Sequence, residues 1–457
     1  MGKKYDEQSN YSGEYDNLMI IKAKANRLRV ITPKENSIPF LRRGMRRYKQ
    51  LSKDNQQHIV IAYFINRIAF HAKSFVIAKL TRWLPFVRRS RIPFIEADPD
   101  KLTYSIRITG GLGDALIVAR LVRDLQVELG EQARFDVYFH SPKLIEHFFH
   151  SINGVREICH DSIFPAVAHY YHFSLFANQY VVFYTEHIRW AVIVDRFPKV
   201  LKLVGRIESF RKPIEKYISV HPALDGAFAD LAVKQGHRRM TFLHEMMGIS
   251  YGGDQLDITL DPDLTSRLGL EIGSYITVHD GWDNNFKLVA NRPTKSVPLQ
   301  SWAEIVSEIK TLRPDIQIVQ IGAKTGADIP GVDVNLKNKL LFHESVAILA
   351  GSLLHLDTES GLVHVAASLG VRCVVMFGPT NVDWFGYPQN INIVPKRCGN
   401  CWWSTDSWMD SCPIGHEVPV CTGPDSITPS VVAARAVSVI DELKSNLFKS
   451  LVINVRK

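Results

Sequence analysis

The chain has 457 residues, 46% hydrophobic and 22% charged, a composition that excludes a disordered or membrane-embedded protein and a length that calls for two domains plus an extension. The formal net charge of +9 is uneven: residues 1–100 hold 20 Lys and Arg against 9 Asp and Glu. The basicity therefore belongs to the N-terminal segment and not to the body.

Within residues 1–100, a basic N-terminal extension, the stretch 41–93 carries RRGMRRYK, HIVIAYFINRIAFHAKSFVIAKL and TRWLPFVRRSR. Asn66, Arg67, His71 and Lys73 interrupt its apolar run, so no stretch of about twenty uncharged residues exists to cross a bilayer. Polar and charged residues in the first eighteen positions offer no secretory signal, and a cytoplasmic protein is expected. Two readings stand for the segment. It is an amphipathic basic helix in peripheral contact with an anionic inner-membrane leaflet, or a helical pair packed on the body with its charges solvated. No nucleic-acid motif accompanies the charge, and no nucleic-acid partner is expected.

The first βα unit is YSIRITGGLGDALIVARLVRDLQVEL, with a strand from Tyr104 to Ile108, a glycine turn and a helix from Asp114 onward. RFDVYFH and SPKLIEHFF form a second unit, with Ser141 as N-cap and Pro142 at the first helical position. GVREI is a third strand. Residues 161–198 are dense in aromatics and histidines, which fits core packing better than stacking on a sugar. A turn-rich linker is expected at 251–273.

A second alternating series begins with the strand SYITVHD, the helix PLQSWAEIVSEIKTL and the strand DIQIVQIG. FHESVAILAGS is a helix, LLHLD a strand, GLVHVAASLG a helix and VRCVVMFGP a strand. ITPSVVAARAVSVIDELKSNL, capped by Thr428 and Pro429, is a terminal helix. Strand–helix alternation predicts parallel sheets. The expected fold class is α/β, with two Rossmann-like domains facing a cleft. The boundaries are 101–262 for the first, 263–425 for the second and 426–457 for the C-terminal helix.

The stretch DTESGLVHVAASLGVRCVVMFGPT, residues 357–380, places a short polar turn directly before a helix. A helix N-terminus aims free N–H groups and a positive dipole end at the turn, so Ser360 and Gly361 suit an anionic phosphate.

Three separated motifs, GGLGDALIVARLVRDL, TKSVPLQSWAEIV and ESGLVHVAASLGVRCVVMFGPT, resemble glycosyltransferase family 9, the ADP-heptose:lipopolysaccharide heptosyltransferases. They bracket residues 104–380. The resemblance implies the two-domain GT-B architecture and an inverting transfer of heptose from ADP-heptose to a hydroxyl of a surface glycan. It implies Asp114 as the catalytic base, whose plainer reading is a first-turn Asp stabilising a helix. It implies Lys295, with Thr294 beside it, on the donor diphosphate, and His364 at the donor. Gly111 and Gly113 are counted with the donor-binding residues. The sequence departs from the family where Asp precedes Ser/Thr-Gly: Glu359 stands there and Asp357 two residues earlier, and both are retained as donor-binding candidates with Ser360 and Gly361. Lysine and helix dipole can neutralise a diphosphate, so no catalytic metal is required.

Four of the six cysteines, Cys398, Cys401, Cys412 and Cys421, fall within 24 residues. Cys-x2-Cys with two later thiols suits a tetrahedral structural site for zinc or iron, with His416 as a substitute ligand. The cluster also resembles the iron-binding cysteine finger of autotransporter heptosyltransferases, which raises a protein acceptor as an alternative. Cys159 and Cys373 are expected to be core thiols. Outside glycosyl transfer, a nucleotide-sugar epimerase and a non-catalytic binding module remain open.

Overall fold

Apolar strands alternating with amphipathic helices produce two separate sheets, as expected for the α/β class. The computed structural model describes residues 3–31, 101–281 and 293–455; the basic stretch 41–93 and its amphipathic-helix reading lie outside them. Contacts divide the chain into two units. The N-terminal unit holds, of the described chain, residues 101–220 and 237–259. The C-terminal unit holds α1 (Lys3–Val30), His221–Gly236 and residues from Leu260 onward.

In the N-terminal unit, β1 (Thr103–Ile108), β2 (Arg134–Phe139), β3 (Val155–His160), β4 (Phe173–Ala177) and β5 (Val181–Phe183) form one sheet in the order β3-β2-β1-β4-β5. Only the β4–β5 pairing is antiparallel. Helix α2 (Leu112–Leu129) follows β1 and buries Leu116, Val118, Leu121 and Leu125. Helix α3 (Pro142–Phe149) follows β2, α4 (Pro198–Arg211) follows the sheet, and α6 (Arg239–Met247) completes the unit. The aromatic stretch supplies β4 and β5, with Phe173, Tyr180 and Phe183 buried; it is core, and Phe173 stacks on Tyr104 at 5.0 Å between ring centroids. Cys159 differs from its expected core setting: it lies half-buried on edge strand β3, which has a neighbour on one side only.

In the C-terminal unit, β6 (Tyr275–Val278), β7 (Gln317–Gln320), β8 (Val334–Asn335), β9 (His355–Thr358), β10 (Cys373–Met376) and β11 (Ile391–Ile393) form an all-parallel sheet in the order β11-β10-β9-β6-β7-β8. Its central strands β6, β9 and β10 are buried on both faces, the pattern of a sheet covered by crossover helices. Helices α7 (Leu299–Leu312) and α10 (Pro429–Val455) share one core through Trp302, Ile305, Ile309, Val432, Ala436 and Ile440. Helices α8 (Phe342–Ala350) and α9 (Gly361–Leu369) flank β9. Helix α5 (Asp225–Lys234) also belongs here. So does α1, which sequence reasoning missed because its polar residues show no apolar stripe. It buries Asp16, Ile20 and Lys24, spaced four apart on one face.

Candidate active site

In a doubly wound sheet, ligands bind beyond the C-terminal ends of the strands where the strand order reverses. The first sheet reverses between β1 and β4, the second between β6 and β9. The sequence-derived site residues fall at these two points, each within its own unit.

At the first point, Asp114 is the third residue of α2, and its Oδ2 accepts the N–H of Gly111 at 3.0 Å. It thus does the helix-capping work of the plainer reading. Its Oδ1 accepts from Arg239 Nη2 at 2.8 Å and from Gln179 Nε2 at 3.2 Å. Asp114 keeps about a fifth of its side chain exposed while Arg239 is fully buried. Gly110, at φ 101°, leaves the room this carboxylate uses: a Cβ there would lie 2.2 Å from Asp114 Oδ2. Gly111 is the N-cap of α2 and Gly113 lies in its first turn. Arg239 and Gln179 carry no local signal, being 125 and 65 residues away in sequence.

At the second point, Ser360 caps α9, accepting from the N–H of Leu362 at 3.2 Å. No acidic residue occupies the first turn of α9. Lys295 reaches the same turn, its Nζ donating to the carbonyl of Glu359 at 3.1 Å. A cation and a helix N-terminus therefore converge at one mouth, with Gly361 opening the helix. His364, one turn into α9, is nearly buried; its Nδ1 meets Tyr387 Oη at 2.7 Å and its Nε2 faces Glu359 Oε1 at 4.0 Å. Tyr387 is a further residue that sequence reasoning missed.

Asp357 sits beneath this mouth and is fully buried. Its carboxylate meets His279 Nδ1 at 3.0 Å through both oxygens and His355 Nε2 at 3.2 Å, and it accepts from Ser360 Oγ. Burial alone would raise its pKa, but the charge and hydrogen bonds of His279, with those of His355, hold it down at about 2. Burial opposes charge on His279, yet Asp357, helped by Asp280, raises its pKa against the opposing charge of Lys295. Asp357 thus braces the turn from below, and Glu359 is the carboxylate of the pair at the mouth. Thr294 is likewise committed: its Oγ1 donates to the carbonyl of Trp408 at 2.7 Å and its N–H to that of Met409 at 3.1 Å.

The profile of glycosyltransferase family 9 (heptosyltransferase) matches residues 237–401. That span is similar to a family 9 glycosyltransferase domain. It holds Lys295, the 359–361 turn and His364. No curated protein matches the chain. Among solved structures, the chain is similar to the family 9 glycosyl transferase of Veillonella parvula DSM 2008, at 14% identity over 64% of this chain and 85% of that one, with a TM-score of 0.39. It is similar to ADP-heptose lps heptosyltransferase II of E. coli at 15% identity over 75% and 100%, TM-score 0.42. The third is TibC of enterotoxigenic E. coli, an iron-containing dodecameric glycosyltransferase, at 14% identity over 76% and 77%, TM-score 0.46.

The cysteine finger begins inside the matched span and docks on the Phe-Gly-Pro-Thr turn of that span. The N–H groups of Asn400 and Trp402 donate to the carbonyls of Gly378 and Pro379 in the Phe-Gly-Pro-Thr turn, at 3.2 and 2.8 Å. With the Thr294 bonds, the finger ties the lysine loop to that turn. Helix α1 covers it: Ile20 packs with Cys398, Cys401 and Cys421. Lys24 Nζ donates to Asp230 Oδ2 at 2.8 Å and Asn400 Oδ1 at 3.0 Å. Gly226 of α5 permits the approach, since a Cβ would fall 1.8 Å from the Trp402 carbonyl oxygen. Burial, added to by neighbouring thiols, pushes Cys398 up to about 11 and Cys401 up to about 12, and Cys421 well above its ordinary value. His416 meets Asp16 at 3.2 Å. The thiols suit a soft metal in kind, but among the described residues no group of three or more His, Cys, Asp or Glu is arranged to hold an ion. Cys373 is buried in β10 as expected. Among the described residues, no helix is long and apolar enough to cross a membrane.

Proposed function

We propose that the protein is an inverting heptosyltransferase that moves heptose from ADP-heptose to a hydroxyl of a lipopolysaccharide or other surface glycan. The observation that carries the reading is the meeting of Lys295 with the acid-free N-terminus of α9, inside the span matched by the heptosyltransferase profile. Two dispersed positive ends at one mouth favour a diphosphate, and most of all as it departs with developing charge. Asp114 is the base that takes the acceptor hydroxyl proton, and no catalytic metal is needed. Lys295 and the N–H groups of the 359–361 turn bind the diphosphate, Glu359 the sugar, and His364 is oriented toward it by Tyr387. The N-terminal unit is the acceptor domain and the C-terminal unit the donor domain.

The four cysteines hold a structural iron or zinc ion when loaded, supplying cross-linking and no catalytic step. Metal analysis of purified protein and of a Cys401→Ser variant tests this: loaded wild type and an empty variant are expected, and a metal-free wild type refutes it. The basic segment 41–93 brings a cytoplasmic enzyme to the anionic inner leaflet; flotation with vesicles containing anionic lipid should retain the full chain and release it at high salt. The central test is thermal shift with ADP-heptose, UDP-glucose and GDP-mannose. A ligand bound only by the native state raises its melting temperature, so ADP-heptose should raise it most; no response to any of the three would end the donor reading.

A further inference from the structure

Arg239 occupies a position that stability alone does not explain. It is the first residue of α6, at the positive end of the helix dipole, and is fully buried. Its Nε and Nη1 have no hydrogen-bond partner among the described residues, a costly state for a buried cation. Only Nη2 is used, donating to Asp114 Oδ1 at 2.8 Å and to the carbonyl of Asn178 at 2.9 Å. The guanidinium is thereby tied to the β4–β5 turn, which also supplies Gln179.

We propose that Arg239 is a positioning residue that selects which oxygen of Asp114 acts as the base. This rests on the reading of Asp114 as the base. A carboxylate oxygen offers two in-plane lone pairs. Among the described residues, those of Oδ1 are filled by Arg239 and Gln179, whereas Oδ2 accepts the Gly111 N–H alone. Oδ2 therefore keeps the one open lone pair, and the acceptor proton goes there. Gly110 keeps this oxygen unobstructed. Other charged groups of the unit have partners of their own: Arg120 pairs with Asp254, Arg123 and His244 with Asp124, His237 with Glu245, and Arg107 with Asp161. Arg239 is the cation that orients the base.

The test uses the full chain and ADP release from ADP-heptose with water as acceptor, so that no glycan need be known. Arg239→Met should lower kcat about 10–100-fold, as misplacement of a reacting group does, while donor KM and the ADP-heptose thermal shift stay within about twofold of wild type. Arg239→Lys, which restores the cation without the fork, should recover part of kcat. Wild-type kcat in Arg239→Met, or a loss confined to KM, overturns the proposal. If Arg239→Met does not fold, Gln179→Leu strips the other Oδ1 contact without burying a charge; a few-fold drop in kcat at unchanged KM supports the proposal, and wild-type kcat overturns it. Asp114→Asn separates the two layers. Full activity in that variant refutes the base itself, whereas its loss beside a wild-type Arg239→Met refutes only the positioning role.

Discussion

The β1–α2 turn and the β9–α9 turn are the same piece of supersecondary structure carrying opposite chemistry. Each is a buried strand, a tight turn and a helix N-terminus at the reversal point of a sheet. In the first, the helix supplies its own anion: Asp114 accepts the N-cap N–H and an arginine pairs with it. That mouth has no charge left for a phosphate and presents a carboxylate instead. In the second, the carboxylate is withdrawn beneath the turn, where Asp357 is consumed by His279, His355 and Ser360, and a lysine approaches from another loop. That mouth holds a lysine and an acid-free helix N-terminus, with Glu359 as its carboxylate. A glycine turn before a helix thus does not specify an anion site by itself; the first-turn side chain decides whether the dipole is already spent.

The widest break in this comparison is Asp114→Asn. Removing the proposed base while keeping its size and its helix cap should lower kcat about 10²–10⁴-fold, the usual worth of general-base catalysis, with the ADP-heptose thermal shift unchanged. A parallel loss of donor binding would mean the first mouth also serves the diphosphate.

Next is Asp357→Asn, which removes the carboxylate that keeps His279 charged against burial in the core. Breaking a buried pair of this kind costs about 3–5 kcal/mol of stability, read by urea unfolding. The pH dependence has a definite sign. The lowered pKa of Asp357 gives stability that is present above the ordinary carboxylate range and is lost as pH falls toward about 2. The raised pKa of His279 gives stability that is complete below the ordinary histidine value, about 6.5, and is lost as pH rises through the folded value. The gap between wild type and variant should therefore be widest between about pH 4 and 6.5 and should narrow in alkali. A gap that widens in alkali would show the two groups are not an ion pair.

Lys295→Ala should reduce kcat/KM about 10²-fold and diminish the ADP-heptose thermal shift, with little change in the stability of the unliganded protein because the lysine is only half-buried. Comparing it with Asp114→Asn sharpens the contrast: one mouth should act on binding, the other on chemistry alone.

Much of this was legible because it is local. The runs TYSIRI and HLDT, with the helices that follow them, fall where apolar periodicity and capping residues place them, and the match over 237–401 agrees with the resemblance read from the motifs. What was hidden depends on distant partners. Arg239 is an unremarkable basic residue until α6 brings it to Asp114, and Tyr387 is an ordinary tyrosine until it meets His364. Thr294 reads as a donor ligand from its place beside Lys295, yet its hydroxyl is turned onto the finger. Helix α1 escaped because a face made of Asp16, Ile20 and Lys24 is mostly charged, and its burial depends on Asp230, Asn400 and His416, more than two hundred residues away.

The smallest expected effect tests how far the second mouth depends on its brace. Ser360 Oγ does two things: it accepts the Leu362 N–H and donates to Asp357. Ser360→Ala removes both, but His279 and His355 still hold Asp357, so the cost should be that of a lost N-cap, about 1 kcal/mol. The backbone N–H groups proposed to meet the diphosphate remain, and the variant exposes one more of them. The ADP-heptose thermal shift should therefore persist in Ser360→Ala although the unliganded protein melts lower, the reverse of the Lys295→Ala pattern. Loss of the shift would mean that the serine hydroxyl, and not the helix backbone, is what the donor meets.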